Sequence, residues 1–374
     1  MTSTTGSDKK LPAIQVLRGV AASLVVFYHY AGILGRSGAK HSWLRASGFD
    51  TIGASGVDLF FVISGFIMVI TTRRKAGPAD SLAFMKRRVI RIFPVYWIWS
   101  TIWLAMLMVA RGVADHRISF PYIVDSYLLI PRFNGTDFTP LLARGWTLSF
   151  EMLFYAVFSC TILLGLKRTK LPFLVCAFAL LFALGHLLPL GSGIRYLVTS
   201  TLILEFLYGV LVAEALLRLP SLNQVRWPRA LPTILIGLGA IALLFTRGPA
   251  PPDALRFVVW GAPAFLIVSG AAMLGSTPCP RVLVYLGDAS YSIYLAHGII
   301  ASILRGSLAR YLVKGSLPPD AVIVLASVAT IAICAGAYPL IERPIMDRLN
   351  PSKPRQAIEA VVSATAGVRT ETVA

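Results

Sequence analysis

Two residues of the first long apolar stretch have side chains that could do chemistry inside a membrane. The stretch runs from Leu11 to Leu34, with Arg18 near its start and His29 near its end. An α-helix rises about 1.5 Å and turns about 100° per residue. The separation of eleven residues between Arg18 and His29 therefore places both side chains on one face of the helix, about 16 Å apart along its axis. Such residues in membrane helices usually face a protein interior or a wet cavity. The pattern is typical of a polar site, although an interfacial arginine plus a histidine bonded between helices would give the same spacing.

Two carboxylates lie inside or beside later apolar stretches. Glu151 lies about a turn and a half inside one of them and needs a partner there, for which Arg18 and His29 are the candidates. Asp58 lies at the start of GVDLFFVISGF, where it either takes part in a site or caps the helix near its N-terminal dipole. Glu205 lies deep in LILEFLYGVLVA, and we expect it to form a structural pair with a basic side chain.

A second histidine belongs to a polar stripe late in the chain. Ser290, Tyr294 and His297 are spaced by four and three residues, so they share one face of the predicted helix. Polar groups stacked on one stripe within lipid are typical of one wall of a polar cavity. A purely structural role for His297 stays equally open. The five histidines and four cysteines show no metal-ligand spacing, and we therefore expect no metal site.

A cluster of arginines precedes the third apolar stretch. In FMKRRVIRIFPVYW, residues 84–97, Arg87, Arg88 and Arg91 fall within about one helical turn, so at least two share a face. One interpretation is an amphipathic helix lying on anionic lipid. The other is a phosphate clamp for a ligand such as coenzyme A, because guanidinium groups bind phosphates bidentately and keep their charge. We expect Pro94 to set the start of the membrane helix that follows.

The composition indicates a membrane protein that is helical throughout. The chain has 374 residues, of which 56% are hydrophobic and 14% are charged. Apolar stretches recur from one end to the other, which predicts an all-α polytopic membrane protein with about ten transmembrane helices. The predicted spans are residues 13–34, 52–71, 95–111, 147–166, 171–189, 196–216, 231–246, 255–275, 284–305 and 321–341, with boundaries good to about two to four residues.

The distribution of charge predicts the orientation. In a soluble protein a net charge of +18 would favour nucleic-acid binding, but here basic loops that set topology and meet anionic head groups explain it. Alternate loops carry roughly 22 and roughly 13 basic residues, so the positive-inside rule places both termini in the cytoplasm. We expect loosely ordered tails at residues 1–10 and 351–374 around a membrane domain at 11–350. We expect the first helix to stay in the mature protein and not to be cleaved off as a signal peptide, because Arg18 interrupts what would be the apolar core of the signal.

Residues 112–145 form the longest predicted loop on the periplasmic side. Loops longer than about 15 residues are usually functional or disordered, and this one could shape an acceptor site. Trp146 follows the loop. Its indole suits the membrane interface and also suits stacking on the face of a sugar.

Six motifs, taken together, resemble the acyltransferase 3 family of bacterial integral-membrane acyltransferases. The first helix carries the family's arginine followed after ten residues by a histidine. GVDLFFVISGF matches at residues 56–66, and the arginine motif KRRVIRIFPVY matches at 86–96. W-x-L-S-x-E-x-x-F-Y matches at 146–155, S-Y-x-x-Y-L-x-H at 290–297, and E-[RK]-P at 342–344. The motifs run in order through nearly the whole chain.

The resemblance implies a ten-helix enzyme of the bacterial inner membrane. Such an enzyme moves an acyl group, commonly acetyl, from cytosolic acetyl-CoA or another acyl-CoA to a hydroxyl of an envelope glycan, exopolysaccharide or lipid-linked saccharide. His29 is then the expected general base, because imidazole has a suitable pKa for taking a hydroxyl proton. Alternatively His29 is itself acylated in a two-step relay. The implied partners are the acyl-CoA, the saccharide and the lipid bilayer, and not nucleic acid.

The motifs and the chemistry of their residues define a candidate site with three parts. The expected catalytic residues are His29, Arg18, Glu151, Asp58 and His297; the expected donor-binding residues are Arg18, Arg87, Arg88, Arg91 and Tyr96; the expected substrate-binding residues are Trp146, Ser64 and Tyr294. The main alternative is a transporter or flippase of a lipid-linked saccharide, which needs buried polar stripes but no arginine cluster for coenzyme A. The sequence leaves the acceptor, the acyl group and the oligomeric state open.

Overall fold

The computed structural model confirms the predicted fold class. All of the regular structure in the part of the chain that it describes is helical. Eight helical segments there are long and apolar enough to cross a membrane, so the chain is a multi-pass α-helical membrane protein. The described residues are 11–36, 42–111, 119–133, 138–167, 169–218, 230–313 and 317–349.

The helices are numbered here in chain order. They are α1 (Pro12–Arg36), α2 (Trp43–Ala46), α3 (Phe49–Ile52), α4 (Gly56–Thr72), α5 (Pro78–Arg111), α6 (Phe120–Tyr127), α7 (Trp146–Leu163), α8 (Lys170–Leu187), α9 (Ser192–Thr199), α10 (Ile203–Arg218), α11 (Ala230–Phe245), α12 (Asp253–Arg256), α13 (Ala262–Met273), α14 (Arg281–Asp288), α15 (Ser290–Val313), α16 (Pro319–Ala337) and α17 (Arg343–Leu349). Short 3₁₀ turns cover Gly53–Ser55 and Ala143–Gly145, and π-helical turns cover Phe257–Gly261 and Tyr338–Glu342.

The observed helices follow the predicted spans one by one. Two spans correspond to shorter apolar helices, Ala230–Phe245 and Ser290–Leu304, beside the eight long ones. The predicted ninth span is divided at Ala289, which caps α14 before α15 begins. The count of ten and the cytoplasmic placement of both termini stay predictions.

Helix α5 corrects the expectation that a new helix starts at Pro94. The helix runs unbroken for 34 residues with Pro94 inside it. Proline removes one backbone N–H and crowds the carbonyl four residues earlier, but side chains of neighbouring membrane helices can satisfy the disturbed carbonyls. The hydroxyl of Tyr291 also donates to the carbonyl of Ile92 at 2.8 Å, which ties α15 to α5 two residues before the proline. The arginine cluster therefore lies on the same continuous helix as the third span.

Helix α1 is the centre of the bundle, in contact with α4, α13, α14, α15 and α16. Its buried face includes the small residues Ala21 and Ala22, which let neighbouring helices approach closely. The tightest approach is to α14, where a methyl group added at Gly287 would lie 1.9 Å from the carbonyl oxygen of Gln15. The residues of α1 are thereby held at fixed positions relative to α14 and α15.

Helices α4 and α10 pack along most of their length through two glycines. A methyl group added at Gly65 would lie 2.0 Å from the carbonyl oxygen of Phe206, and one at Gly209 would lie 1.9 Å from that of Val62. The absence of side chains at Gly65 and Gly209 thus permits the close approach of the two helices. The ring of Phe61 stacks on that of Phe206 beside this contact at 4.5 Å.

Candidate active site

A cavity of about 1500 Å³ lies between α1, α4, α5, α7, α14 and α15. Pockets for small molecules usually measure about 300–1000 Å³, so this one has room for a long ligand. Four exposed cationic residues surround its opening, and we call them the basic mouth. They are Arg73, Arg74, Lys75 and Arg281.

Three further arginines line the cavity inside the mouth. Arg18, Arg88 and Arg91 have no carboxylate within 4.0 Å among the described residues. The guanidinium carbon of Arg88 lies 5.3 Å from the ring centre of Phe84 and 5.5 Å from that of Tyr155. Its Nε is buried and has no hydrogen-bond partner in the described part of the chain. A buried guanidinium without an acidic partner is suited to an anionic ligand, and phosphate is the group that it binds bidentately.

The position of Arg18 is set by a short chain of polar contacts. Arg18 donates from Nη1 to Oε1 of Gln15 at 2.9 Å, and Gln15 donates from Nε2 to Oδ1 of Asp288 at 3.0 Å. All three residues line the cavity. Sequence reasoning missed Gln15 and Asp288, and the three-residue spacing of Gln15 and Arg18 on α1 is the signal that could have found the first of them.

The inner part of the cavity contains a carboxylate held by two hydroxyl groups. The hydroxyl of Ser64 donates to Oε1 of Glu151 at 2.6 Å, and the hydroxyl of Tyr155 donates to the same oxygen at 2.5 Å. Arg18 and Arg88 lie within electrostatic range of Glu151. The expected hydrogen-bond partners of Glu151 were Arg18 and His29, and the structure places the hydroxyls of α4 and α7 there instead.

Tyr294 lies between the cavity and the two histidines. Its hydroxyl lies 3.0 Å from Oγ1 of Thr147, and both residues line the cavity. Because Thr147 donates its own proton to the carbonyl of Arg144 at 3.2 Å, Tyr294 is the donor in this pair. The ring of Tyr294 lies 5.8 Å from that of Phe60 and 6.1 Å from that of His297. Tyr294 therefore lines the cavity and lies beside His297.

His29 and His297 come together although they are far apart in sequence. Their ring centres are 4.9 Å apart, with His29 on α1 and His297 on α15. Nδ1 of His29 lies 2.7 Å from the carbonyl oxygen of Val25. A carbonyl only accepts, so this Nδ1 carries the proton, and the lone pair of the neutral ring is on Nε2. Nε2 of His29 is accordingly the atom that can take a proton.

Arg144 is a site residue that sequence reasoning missed. It lies in the 3₁₀ turn before α7 and donates from Nε to Nε2 of His297 at 3.3 Å. No local pattern marks this contact, because its two partners are separated by 153 residues. The position of Arg144 two residues before the matched Trp146 is the single hint that the sequence offers.

Asp58 lies outside the cavity lining, in a buried ion pair. Arg256 donates from Nε to Oδ1 of Asp58 at 3.0 Å and from Nη2 to Oδ2 at 2.9 Å. Asp58 is fully buried, and Glu205 is buried within electrostatic range of both partners. The pair joins α4 to α12. These contacts explain Asp58 as a structural residue, and the structure gives no geometric support to the predicted catalytic role.

Five other expected site residues also lie outside the cavity lining, namely the two histidines His29 and His297 and the three residues Tyr96, Arg87 and Trp146. Tyr96 is fully buried, and its hydroxyl donates to the carbonyl of Ser126 at 2.7 Å, so the expectation that it binds the donor is not supported. Arg87 is half-buried on α5 and does not line the cavity. Trp146 packs edge-on against Phe150 at 5.8 Å, at the end of the bundle that carries Arg144.

The chain is similar in sequence to known acyltransferases. The sequence profile of a family described as an acyltransferase domain matches residues 11–338. The exopolysaccharide production protein ExoZ of Rhizobium meliloti is 34% identical over 313 residues, which cover 80% of this chain and 91% of ExoZ. No solved structure matches the chain significantly.

More distant relatives are longer than this chain. The O-acetyltransferase OatA of Staphylococcus aureus is 25% identical over 368 residues, which are 91% of this chain and 58% of OatA. The peptidoglycan O-acetyltransferase OatA of Listeria monocytogenes is 25% identical over 380 residues, covering 92% of this chain and 57% of that protein. The chain thus spans less than two thirds of the OatA proteins. These matches favour an enzyme over the transporter alternative, and the chain belongs to the acyltransferase 3 family of membrane acyltransferases, whose members include O-acetyltransferases.

Proposed function

We propose that this protein transfers an acetyl group from acetyl-CoA to a hydroxyl group of an envelope or exported saccharide at the bacterial inner membrane. The observation that carries the proposal is the cavity, whose lining combines Glu151 and Tyr294 with arginines that have no carboxylate within 4.0 Å in the described residues, and His297 lies beside Tyr294. The relatives ExoZ, an exopolysaccharide production protein, and OatA, an O-acetyltransferase, support the same class of acceptor and the same acyl group.

The donor is proposed to enter from the basic mouth. Coenzyme A carries several phosphates, and the basic mouth together with Arg88 and Arg91 offers guanidinium and ammonium groups to bind them. The positive-inside rule places this end of the bundle in the cytoplasm, where acyl-CoA is found. The thioester end of the donor is proposed to lie near Glu151 and Tyr294, because Tyr294 lines the cavity and its ring lies 6.1 Å from that of His297.

His29 is proposed as the general base. Its Nε2 takes the proton of the saccharide hydroxyl while the oxygen attacks the thioester carbonyl carbon. The ester C–O bond forms, the C–S bond breaks, and the proton passes from His29 to the departing thiolate. General-base catalysis of this kind is typically worth about 10²–10⁴-fold in rate. If the hydroxyl instead attacks an acetyl group carried by His29, the same atom acts first as the nucleophile.

The proposal is tested by measuring O-acetyl groups on the surface saccharide of cells that lack this protein and receive it on a plasmid. The variants are His29→Ala and the matched control His186→Ala. His186 is an exposed histidine of α8 whose Nδ1 also lies against a backbone carbonyl, that of Phe182, at 2.9 Å. We expect wild type and His186→Ala to restore alkali-labile acetate and His29→Ala to leave it at least about tenfold lower. Full acetylation by His29→Ala would contradict the role of His29, and no acetylation by wild type would contradict the proposed acceptor class.

A further inference from the structure

We infer that Arg144 is a positioning residue that separates the roles of the two histidines, holding His297 as a neutral partner and leaving His29 as the base. The inference rests on the proposed function and extends it to a residue outside the matched motifs. It stands on the contact between Arg144 and His297, the contact between the two imidazole rings, and the absence of a side chain at Gly298.

The hydrogen bonds of His297 determine its protonation state. Its Nδ1 lies 3.1 Å from the carbonyl oxygen of Ile293, which only accepts, so Nδ1 carries a proton. Its Nε2 receives the Nε–H of Arg144, and guanidinium groups only donate, so Nε2 must be unprotonated. His297 is therefore the neutral Nδ1–H tautomer, and the lone pair that a base would use is already engaged.

Protonation of His297 would break this arrangement. An imidazolium has donors on both nitrogens, so its Nε2–H would point at the donor of Arg144, and two positive charges would meet in a fully buried site. His297 thus cannot take over the proton that His29 acquires from the acceptor, even though the rings are 4.9 Å apart. The proton stays on His29, from where it can reach the leaving thiolate.

The backbone around Arg144 holds its side chain in place. The carbonyl of Arg144 accepts the hydroxyl of Thr147, whose oxygen in turn accepts from Tyr294 of α15. The guanidinium lies across α15 at Gly298, where an added methyl group would be 3.1 Å from Cζ and 3.2 Å from Nε. Because residue 298 is a glycine, the guanidinium of Arg144 can lie close against α15 and reach the side chain of the preceding residue, His297.

Gly298 provides a way to disturb the contact without removing Arg144. In Gly298→Ala the added methyl group lies so close to the guanidinium that the flexible end of Arg144 must shift by a few tenths of an ångström, which lengthens its 3.3 Å contact with His297. The matched control is Gly336→Ala on α16, where an added methyl group meets nothing within 4 Å. The remaining variants are Arg144→Leu, which removes the donor, Arg144→Lys, which keeps a cationic donor, and His297→Leu, which removes the acceptor.

The kinetic test compares kcat and the KM for acetyl-CoA in detergent-purified protein. We expect Arg144→Leu to lower kcat at least about tenfold, with KM within about twofold because Arg144 does not line the donor cavity. Gly298→Ala should lower kcat by a smaller factor, Arg144→Lys should recover part of the loss, and Gly336→Ala should match wild type. In a His297→Leu background, Arg144→Leu should add less than about twofold, because both changes remove one interaction. Full kcat in Arg144→Leu, or an equal loss in both backgrounds, would overturn the inference.

A spectroscopic measurement decides the matter even if the acceptor or donor is wrong. The charged or titratable groups facing His297 are Arg144 from the 3₁₀ turn, His29 from α1 and Tyr294 from its own helix. In ¹⁵N spectra of histidine-labelled protein, we expect Nε2 of His297 to stay unprotonated from about pH 8 to about pH 5 in wild type and in Gly336→Ala. In Arg144→Leu the ¹⁵N shift of Nε2 should move away from its wild-type value, because the lone pair of Nε2 loses the N–H donor of Arg144. Titration of His297 in wild type would refute the inference independently of any assay of acetyl transfer.

Discussion

Arg18 is held by Gln15, which accepts its Nη1–H at 2.9 Å and donates its own amide to Asp288 at 3.0 Å. The arginine of the first-helix motif is therefore oriented by a residue one turn earlier and by an acidic residue of α14. Since α1 and α14 are in backbone contact at Gly287, the whole unit is rigid. The donor cavity thus has one wall whose cation is fixed before any ligand arrives.

Removing this support should weaken donor binding. In Gln15→Leu both hydrogen bonds are lost, and bonds to charged groups are worth about 1.5–3 kcal/mol, so we expect the KM for acetyl-CoA to rise at least about tenfold. Asp288→Asn keeps an acceptor for Gln15 and should change KM much less. The KM of each of the two variants is measured from the steady-state rate of CoA release at varied concentrations of acetyl-CoA. An unchanged KM in Gln15→Leu would show that Arg18 does not depend on Gln15.

Removing the side chain of Arg88 should weaken the binding of acetyl-CoA more directly than removing that of Gln15. Its guanidinium faces the cavity with a buried Nε that has no partner among the described residues, so a donor phosphate is the group that we expect to satisfy it. Arg88→Ala should raise the KM for acetyl-CoA about ten- to one-hundredfold with little change in folding. The control is Arg195→Ala, which removes an exposed arginine of α9. Equal donor affinity in Arg88→Ala and Arg195→Ala would exclude the proposed clamp.

The Asp58–Arg256 pair should matter for stability and not for the chemical step. Asp58 is fully buried, and breaking a buried ion pair by removing one partner costs about 3–5 kcal/mol, because it leaves an unpaired buried charge. Arg256→Met should therefore lower the melting temperature in detergent clearly. The protein that remains folded should keep the wild-type kcat and KM. A stable Arg256→Met variant, or a folded Asp58→Asn variant without activity, would favour a direct catalytic role for Asp58.

The close contact of α4 and α10 makes a matched prediction for two glycines. In Gly209→Ala the methyl group would lie 1.9 Å from the carbonyl oxygen of Val62, so the helices must separate and the Ser64–Glu151 contact should be disturbed. We expect a loss of about 1–3 kcal/mol or more in stability. Gly237→Ala on α11 meets nothing within 4 Å and serves as the control. Size-exclusion profiles and melting curves of the two variants should differ, and identical behaviour would contradict the packing described.

Much of the fold could be predicted from the sequence, because a membrane helix is recognised by the length and apolarity of its stretch of residues. Every predicted span corresponds to a helix in the described residues, and the pattern of Ser290, Tyr294 and His297 on one face is a property of one helix. Pro94 misled the prediction, since proline favours a helix start but is also tolerated inside a membrane helix, as it is in α5.

The contacts between helices could not be predicted in the same way. The partners of Asp58 and of His297 are 198 and 153 residues away in the chain, and nothing in one sequence connects them. Tyr96 belongs to the arginine motif and was assigned to the donor for that reason. The structure shows that its hydroxyl donates to the carbonyl of Ser126 in α6 instead, because motif residues serve packing as well as chemistry.

The most direct measurement of the central claim is the release of CoA thiol from acetyl-CoA by detergent-purified protein in the presence of an acceptor saccharide, with folding checked by size exclusion. Wild type and His186→Ala should release CoA in step with acetyl transfer, and His29→Ala should be at least about a hundredfold slower. Thiol release by His29→Ala at the wild-type rate would contradict the assignment of His29. Failure of folded wild type both to bind and to consume acetyl-CoA would contradict the donor itself.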